Sequence, residues 1–356
     1  MESFQYLDPN VQFVLFSALK ILMVFSVTMG FVSLSVVAER RISAWIQDRV
    51  GPNRVGIPFT NIRFFGLGQM LADGLKFLLK EDFTPAYVRK VYFLLAPAIT
   101  AIPAFLTLAV IPFGSTLGNP ANKMVIADLN VGILYSFGIV SLGVYGIVLA
   151  GYASNSKYPF LGSIRSSAQM ISYEIAMGMS VIALFMLVGS LNLSDVIRYQ
   201  SGGLFHWLVF KQPLAFFIFL VSAFAETNRL PFDLPESETE LVGGYHTEYS
   251  SMKFALFFMG EYANMIASSS MMVTLFFGGW TPIWGGDPAD SFWGGMAHIG
   301  WFLGKMIFLM LVFIWTRWML PRFRYDQLMD LGWRRFIPLA LVNILLTALV
   351  MALFRS

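Results

Sequence analysis

The chain contains no cysteine, which excludes thiolate-held iron–sulfur clusters, disulfides and a cysteine nucleophile within this polypeptide. Histidine is nearly as scarce. His206, His246 and His298 stand far apart, without the paired spacing of a metal centre or a bis-histidine haem, and each reads as a lone interfacial side chain. There is no glycine-rich strand–loop–helix phosphate motif and no internal repeat. Charge is sparse too: Asp, Glu, Lys and Arg make up 13% of 356 residues, so no soluble domain of any size fits between the apolar runs. Any redox chemistry served by this chain must therefore draw its electrons from a partner. The opening MESFQYLDPN carries Glu2 and Asp8 but no basic segment, so a cleaved signal peptide is not expected and the first apolar run reads as a retained span.

What is abundant is apolar. Hydrophobic residues are 57% of the chain, 35 of them Phe, and the mean hydropathy is +0.67. The fold class expected is an all-α polytopic membrane protein, one membrane domain over residues 1–356. Eight spans are predicted near 11–38, 92–113, 130–153, 170–191, 204–226, 254–279, 299–317 and 336–354. The odd-numbered loops hold most of the basic residues, Arg40, Arg41, Arg49, Arg54 and Lys76 among them, whereas the even ones hold only Lys123, Arg198 and Lys211. By the positive-inside rule the odd loops face the cytoplasm and both termini face outward.

The stretch 226–262, which includes an acidic cytoplasmic loop over 226–253, breaks this apolar pattern. Glu226, Asp233, Glu236, Glu238, Glu240, Glu248 and Glu261 face only Arg229 and Lys253. The apolar run before it, 213–225, covers roughly 20 Å as helix, short of a hydrocarbon core of roughly 30 Å. Either that helix reaches back through Lys211 or Glu226 is drawn inward. Pro231 and Pro235 stop a regular helix, and the carboxylates alternate with Leu230, Phe232, Leu234, Leu241, Val242, Tyr245 and Tyr249. That alternation predicts a partly buried carboxylate network rather than a solvated loop.

The first loop, 39–90, is expected to carry an amphipathic helix, because Gln69, Asp73, Lys76 and Lys80 fall on one stripe at i, i+4, i+7 and i+11. Asp48 and Asp73 among so many basic residues point to ion pairing rather than a simple lipid anchor. Pro97, Pro103 and Pro112 predict an irregular second span. The third loop, GYASNSKYPFLGSIRSSAQMISYE, reads as polar and aromatic, leading into a span that begins near Glu174. Glu39, Glu174, Glu226 and Glu261 all fall in the cytoplasmic half, where with the acidic loop they can line one hydrated cavity. Lys20 and Lys305, in the outer half, read as snorkelling lysines. The seventh loop clusters Arg322, Arg324 and Asp326.

Taken together, AERR with QDRVGPNRVG, GQMLADGLKFLLKED, the third-loop stretch, ETNRLPFDLPESETELVGGYHTEYSSMKFALFFMGEYANM and PRFRYDQLMDLGW resemble the quinone-site membrane subunit, of the bacterial H type, of proton-pumping NADH:quinone oxidoreductase, respiratory complex I. The resemblance implies that Arg40, Arg49, Asp73, Arg229, Asp233 and Arg324 frame a quinone tunnel. It also implies that Glu39, Glu174, Glu226, Glu236, Glu238, Glu240, Glu248 and Glu261 couple quinone reduction to protons. Quinone is then substrate. Iron–sulfur clusters, FMN and NADH belong to partner subunits, the remaining partners are phospholipids and the other membrane-arm and hydrophilic-arm subunits, and no nucleic acid is involved. The location implied is the bacterial plasma membrane. Two alternatives stand beside it. The anchor of an energy-converting hydrogenase should match the first-loop GPNRVG and ADGLKFLLKE less fully than this chain does, and a free-standing secondary transporter should show inverted repeats.

Overall fold

A computed structural model describes residues 9–56, 66–116, 123–235, 238–286, 288 and 291–354. Glu236 lies outside the described residues, as does the side chain of Glu238. The regular elements are helices: α1 Pro9–Ile46, α2 Gly68–Leu79, α3 Lys90–Thr107, α4 Gly132–Ala153, α5 Lys157–Val188, α6 Leu193–Tyr199 and α7 Leu208–Lys211. They continue as α8 Pro213–Glu226, α9 Glu238–Leu241, α10 Ser251–Phe276, α11 Phe292–Met319, α12 Tyr325–Asp330 and α13 Ile337–Phe354.

Among the described residues, six helical stretches are long and apolar enough to cross a membrane: those of α1, α3, α4, α5 and α11, and the run Tyr325–Phe354 that joins α12 to α13 through a wide π turn. The other two expected spans differ for physical reasons. Helix α10 has 26 residues, but Lys253, Glu261, Asn264 and three consecutive serines dilute its apolarity. Helix α8 has 14 residues, because Gln212 leaves the helical region (φ −134°, ψ 59°) and Pro213 opens a new helix. The run 204–226 is therefore not one continuous span. Gln212 bonds Thr347 and Asn343 of α13 at 2.9 and 3.0 Å, and Glu226 at the far end of α8 is buried. Of the two alternatives for that helix, the inward carboxylate is the one found.

The third loop is also shorter than expected. Only 154–156 separate α4 from α5, and most of the polar, aromatic stretch, 157–174, is about the first five turns of α5, with Pro159 in the first turn where a missing N–H costs no helical bond. The second span is irregular as its prolines predict: α3 runs through Pro97 and Pro103, tightens into a 3₁₀ turn at Leu108–Val110, and ends before Pro112.

Helices α3 and α4 approach closely enough that a β-carbon at Gly146 would meet the Thr100 hydroxyl at 2.2 Å. At Gly151 it would meet Ser163 Oγ of α5 at 2.1 Å. Small residues at helix crossings permit this backbone contact where lipid offers no hydrophobic drive. The largest buried core gathers α5, α8, α10 and α11 around Tyr173, Phe219, Phe276 and Phe313, and it brings the C-terminal end of α1 beside the segment that follows α8.

Candidate functional site

The segment after α8 is enclosed. From Thr227 to Pro235 every residue except Leu230 is buried. Its turn places Asn228 at φ +51°, a left-handed conformation that asparagine tolerates better than most residues. Helix α5 holds it: Gln169 Nε2 donates to Ala225 O (2.6 Å) and Phe232 O (2.7 Å). On its other side Phe323 N donates to Pro231 O at 3.1 Å, and the rings of Phe232 and Phe323 stack at 5.4 Å.

That enclosure carries Arg229 into the interior. Its Nη1 lies 2.8 Å from Glu39 Oε2 of α1, and its Nε 2.7 Å from Glu261 Oε1 of α10. Arg317 of α11 reaches the other Glu39 oxygen at 2.6 Å. Tyr262 donates its hydroxyl to Glu39 Oε2 at 2.8 Å while its ring lies 4.4 Å beneath the Arg229 guanidinium. Two carboxylates thus meet two guanidiniums, an arrangement that offsets the cost of removing each ion from water only while all are present. Burial works against the charge of Arg229, and Glu261 and Glu39 outweigh it, so the guanidinium holds its proton more tightly than an ordinary arginine. Asp233 pairs with Arg322 at 3.0 Å. Burial nonetheless pushes its carboxyl above the usual carboxylate range, against the pull of Arg322 and Arg317.

A cavity of about 630 Å³ opens beside this cluster. Glu39, Arg40, Ser43, Asp73, Lys76, Tyr262 and Arg317 form its polar part, and Val36, Phe77, Met252, Phe258, Met259 and Trp318 are among its apolar walls. Helix α2 covers one side. Three of the four residues of its predicted polar stripe lie on it, Lys80 being the extended residue that ends the helix: Asp73 pairs with Arg40 at 2.8 Å, accepts from Gln69 at 3.1 Å and stands 3.9 Å from Lys76. Ser251 of α10 donates to Phe77 O and Lys80 O at the end of α2, which fixes that end against the bundle.

Behind the cluster, Glu261 and Glu226 share a second cavity of about 40 Å³ with Asn228 and Asn264. Glu226 and Asn264 then border a third of about 20 Å³ with Ser136 and Thr107. Both exceed the roughly 10–15 Å³ that one water needs, and each sets a few polar groups among largely apolar walls. Glu174, half-buried on α5, exerts a like-charge repulsion on Glu226.

The structure thus gathers Glu39, Arg40, Asp73, Glu226, Arg229, Asp233 and Glu261 into one continuous region. Other residues from the same sequence reading lie apart from it. Arg49 is exposed in the turn after α1, bonded to Gln47. Arg324 is exposed and bidentate to Asp326, at 2.5 and 2.6 Å, whereas Arg317 and Arg322 reach Glu39 and Asp233. Glu240 is exposed and paired with Arg165 at 2.6 Å, and Glu248 accepts from Tyr87 at 2.7 Å in an exposed bond. Among the described residues, the buried part of the acidic loop is therefore Glu226 and Asp233, joined by Glu39 and Glu261 from the helices. Lys305 donates its Nζ to the Phe277, Gly279 and Thr281 carbonyls beyond α10 at 2.6–3.0 Å. Lys20 donates to Lys123 O at 2.7 Å. Sequence reasoning passed over Arg317, Tyr262 and Gln169. The signal for Arg317 was its place in the last turn of an otherwise uncharged helix end, and Tyr262 adjoins Glu261. Gln169 carries no signal beyond polarity.

Fold and site define a class: an all-helical, polytopic membrane protein with a buried carboxylate–arginine cluster between a large apolar-walled cavity and two small ones bordered by Glu226. Residues 19–348 match the family model described as NADH dehydrogenase. The chain is 52% identical over 336 residues to an H-type NADH-quinone oxidoreductase subunit of Geobacter metallireducens, covering 94% of this chain and 96% of that one. It is 46% identical over 351 residues to the corresponding protein from Cytophaga hutchinsonii, covering 98% and 100%. Against the H-type subunit of NADH-quinone oxidoreductase from Flavobacterium johnsoniae it is 46% identical over 343 residues, covering 95% of each. The chain belongs to the NADH dehydrogenase family, as a membrane subunit of the oxidoreductase.

Proposed function

We propose that this chain forms much of the chamber in which the oxidoreductase reduces a long-tailed quinone, and that its carboxylates convert that reduction into movement of protons. The observation that carries the reading is the position of Glu39. It lines the 630 Å³ cavity, and through Arg229 it is joined to Glu261, which lines the next cavity with Glu226. Apolar walls suit an isoprenoid tail, and a few placed polar groups suit a quinone head. NADH, FMN and iron–sulfur clusters belong to partner subunits on this reading, and the chain lies in a bacterial plasma membrane, among phospholipids, with both termini outward.

Reducing a quinone adds two electrons and takes up two protons. A change of charge in the cavity acts on Glu39, Arg40, Asp73 and Arg317 across a poorly screened interior. Because Arg229 is shared by Glu39 and Glu261, any weakening of one pair strengthens its hold on the other carboxylate and alters that group's tendency to keep a proton. Asp233, held above the usual carboxylate range by burial, is the group of the loop best placed to accept a proton. Glu226 extends this role along the two small cavities, with Glu174, Glu240 and Glu248 nearby; Glu236 and Glu238 take the same role on the resemblance alone, and Arg49 and Arg324 act from outside the chamber, toward partner subunits. A photoreactive short-tailed quinone on the assembled complex tests the reading. Labelling on Met252–Met259 or Asp73–Leu78 supports it, and labelling confined to other subunits removes the chamber from this chain.

A further inference from the structure

The geometry points to Gln169 as a positioning residue: we propose that its side-chain amide sets where Arg229 stands between Glu39 and Glu261. The inference rests on the coupling role given above to that cluster. Gln169 is fully buried on α5, and nothing in the reaction requires it to meet quinone. One amide group spans the segment that carries Arg229. It bonds Ala225 O at the end of α8 and Phe232 O beyond the turn, and approaches Asn228 Oδ1 at 3.3 Å. Ser166, one turn earlier, donates to the same Asn228 oxygen at 3.4 Å. Within the turn, Arg229 N bonds Phe224 O and Phe232 N bonds Arg229 O. Both ends of the turn are therefore referred to a single side chain of another helix. One turn further along α5, Tyr173 donates to Leu328 O at 2.9 Å and packs on Phe232 at 5.6 Å. The same helix face thus supports both sides of the Asp233–Arg322 contact.

The donor count gives the test its sign. All three neighbours of the Gln169 amide nitrogen are acceptors, so only a group with N–H or O–H to offer satisfies them. Gln169→Glu in the assembled complex supplies such a donor when its carboxyl is protonated and three repulsions when it is ionised. We expect quinone-dependent NADH oxidation near the wild-type rate at the acid end of the accessible range. It should fall about tenfold as pH rises through the titration of the introduced carboxyl, with a limb that wild type lacks. Gln169→Met, isosteric and unable to donate, should lower kcat at every pH while leaving the KM for NADH unchanged. Two assembled variants with wild-type rates and profiles overturn the proposal. So does failure of both to enter the complex, since the whole turn, rather than the placement of Arg229, would then depend on this residue. Arg229→Gln separates the layers: if it retains wild-type rates, the coupling role fails; if it is impaired while both Gln169 variants are not, only the positioning role fails.

Discussion

Arg229 Nη1 and Glu39 Oε2 lie 2.8 Å apart, joining residues 190 positions distant in the chain. One comes from the enclosed turn after α8 and the other from late in α1, and neither side chain is more than 9% exposed. The pair is one edge of a four-ion cluster, with Glu261 and Arg317 completing it. Because Glu39 also borders the large cavity, the ion pair sits at the boundary between a chamber and the interior of the bundle.

Arg229→Gln should strongly destabilise the subunit, by ~3–5 kcal/mol, the usual cost of leaving buried charges without their partner. Here two carboxylates would lose it. Removing Glu261 as well restores the balance of charge against Arg317. Arg229→Gln/Glu261→Gln should therefore show a higher thermal transition and better assembly than Arg229→Gln alone, whereas additive losses in a double-mutant cycle would mean that the two side chains act independently.

Placement orders the carboxylates. Glu261 is paired in the interior, and Glu240 is an exposed partner of Arg165. Exposed pairs contribute about 0–1 kcal/mol, so Glu240→Gln should leave the thermal transition of the complex nearly unchanged. Glu261→Gln should lower quinone-dependent NADH oxidation more than Glu240→Gln does, measured in complexes with equal subunit content. The reverse order would place the coupling at the loop surface.

Part of this was legible in the chain's own residues. The stripe Gln69–Asp73–Lys76 reads as an amphipathic helix because helical periodicity alone decides it, and Pro97 and Pro103 announce the irregular third helix. Asp233 and Arg229 stand out as charges among large apolar residues. The start of α5 did not stand out, since Ser, Asn, Lys and Pro at 154–159 look like a loop until Pro159 is recognised as a tolerated first-turn residue. The span expected over 254–279 is α10, but that Ser269, Ser270 and Glu261 face protein rather than lipid only tertiary packing reveals. The choice between Arg322 and Arg324 as the partner of Asp233 depends on a chain direction that local sequence does not encode.

His246, in the turn Gly244–His246, packs edge-on against Tyr245 and Phe254 at 5.1 Å. Burial lowers its pKa from 6.5 to about 4. The folded turn thus binds a proton less readily than the unfolded one, so its stability is complete above pH 6.5 and falls as pH drops toward 4, by at most about 1.4 kcal/mol per pH unit. Limited proteolysis between Leu241 and Ser250 should accelerate over that window in wild type. His246→Phe, which cannot titrate, should abolish the acceleration, and an unchanged acid response would assign it to another group.

Gly74 offers the most direct probe of the chamber. It lies within α2 and borders the 630 Å³ cavity, and a β-carbon built there meets no atom within 4 Å. Gly74→Ala should be tolerated, and it should even stabilise the helix by ~0.5–1 kcal/mol, because glycine in a helix interior carries that disadvantage relative to alanine. Gly74→Phe keeps the helix but puts a ring into the space that a quinone head or tail would occupy. The expectation is a KM for short-tailed quinone raised about tenfold, a loss of ~1.4 kcal/mol of binding. NADH oxidation with a water-soluble acceptor, which bypasses this chain, should be unchanged. If the phenylalanine variant reduces quinone with wild-type KM, the cavity beneath α2 is not on the substrate's route, and the charge cluster at its edge loses its proposed link to the redox event.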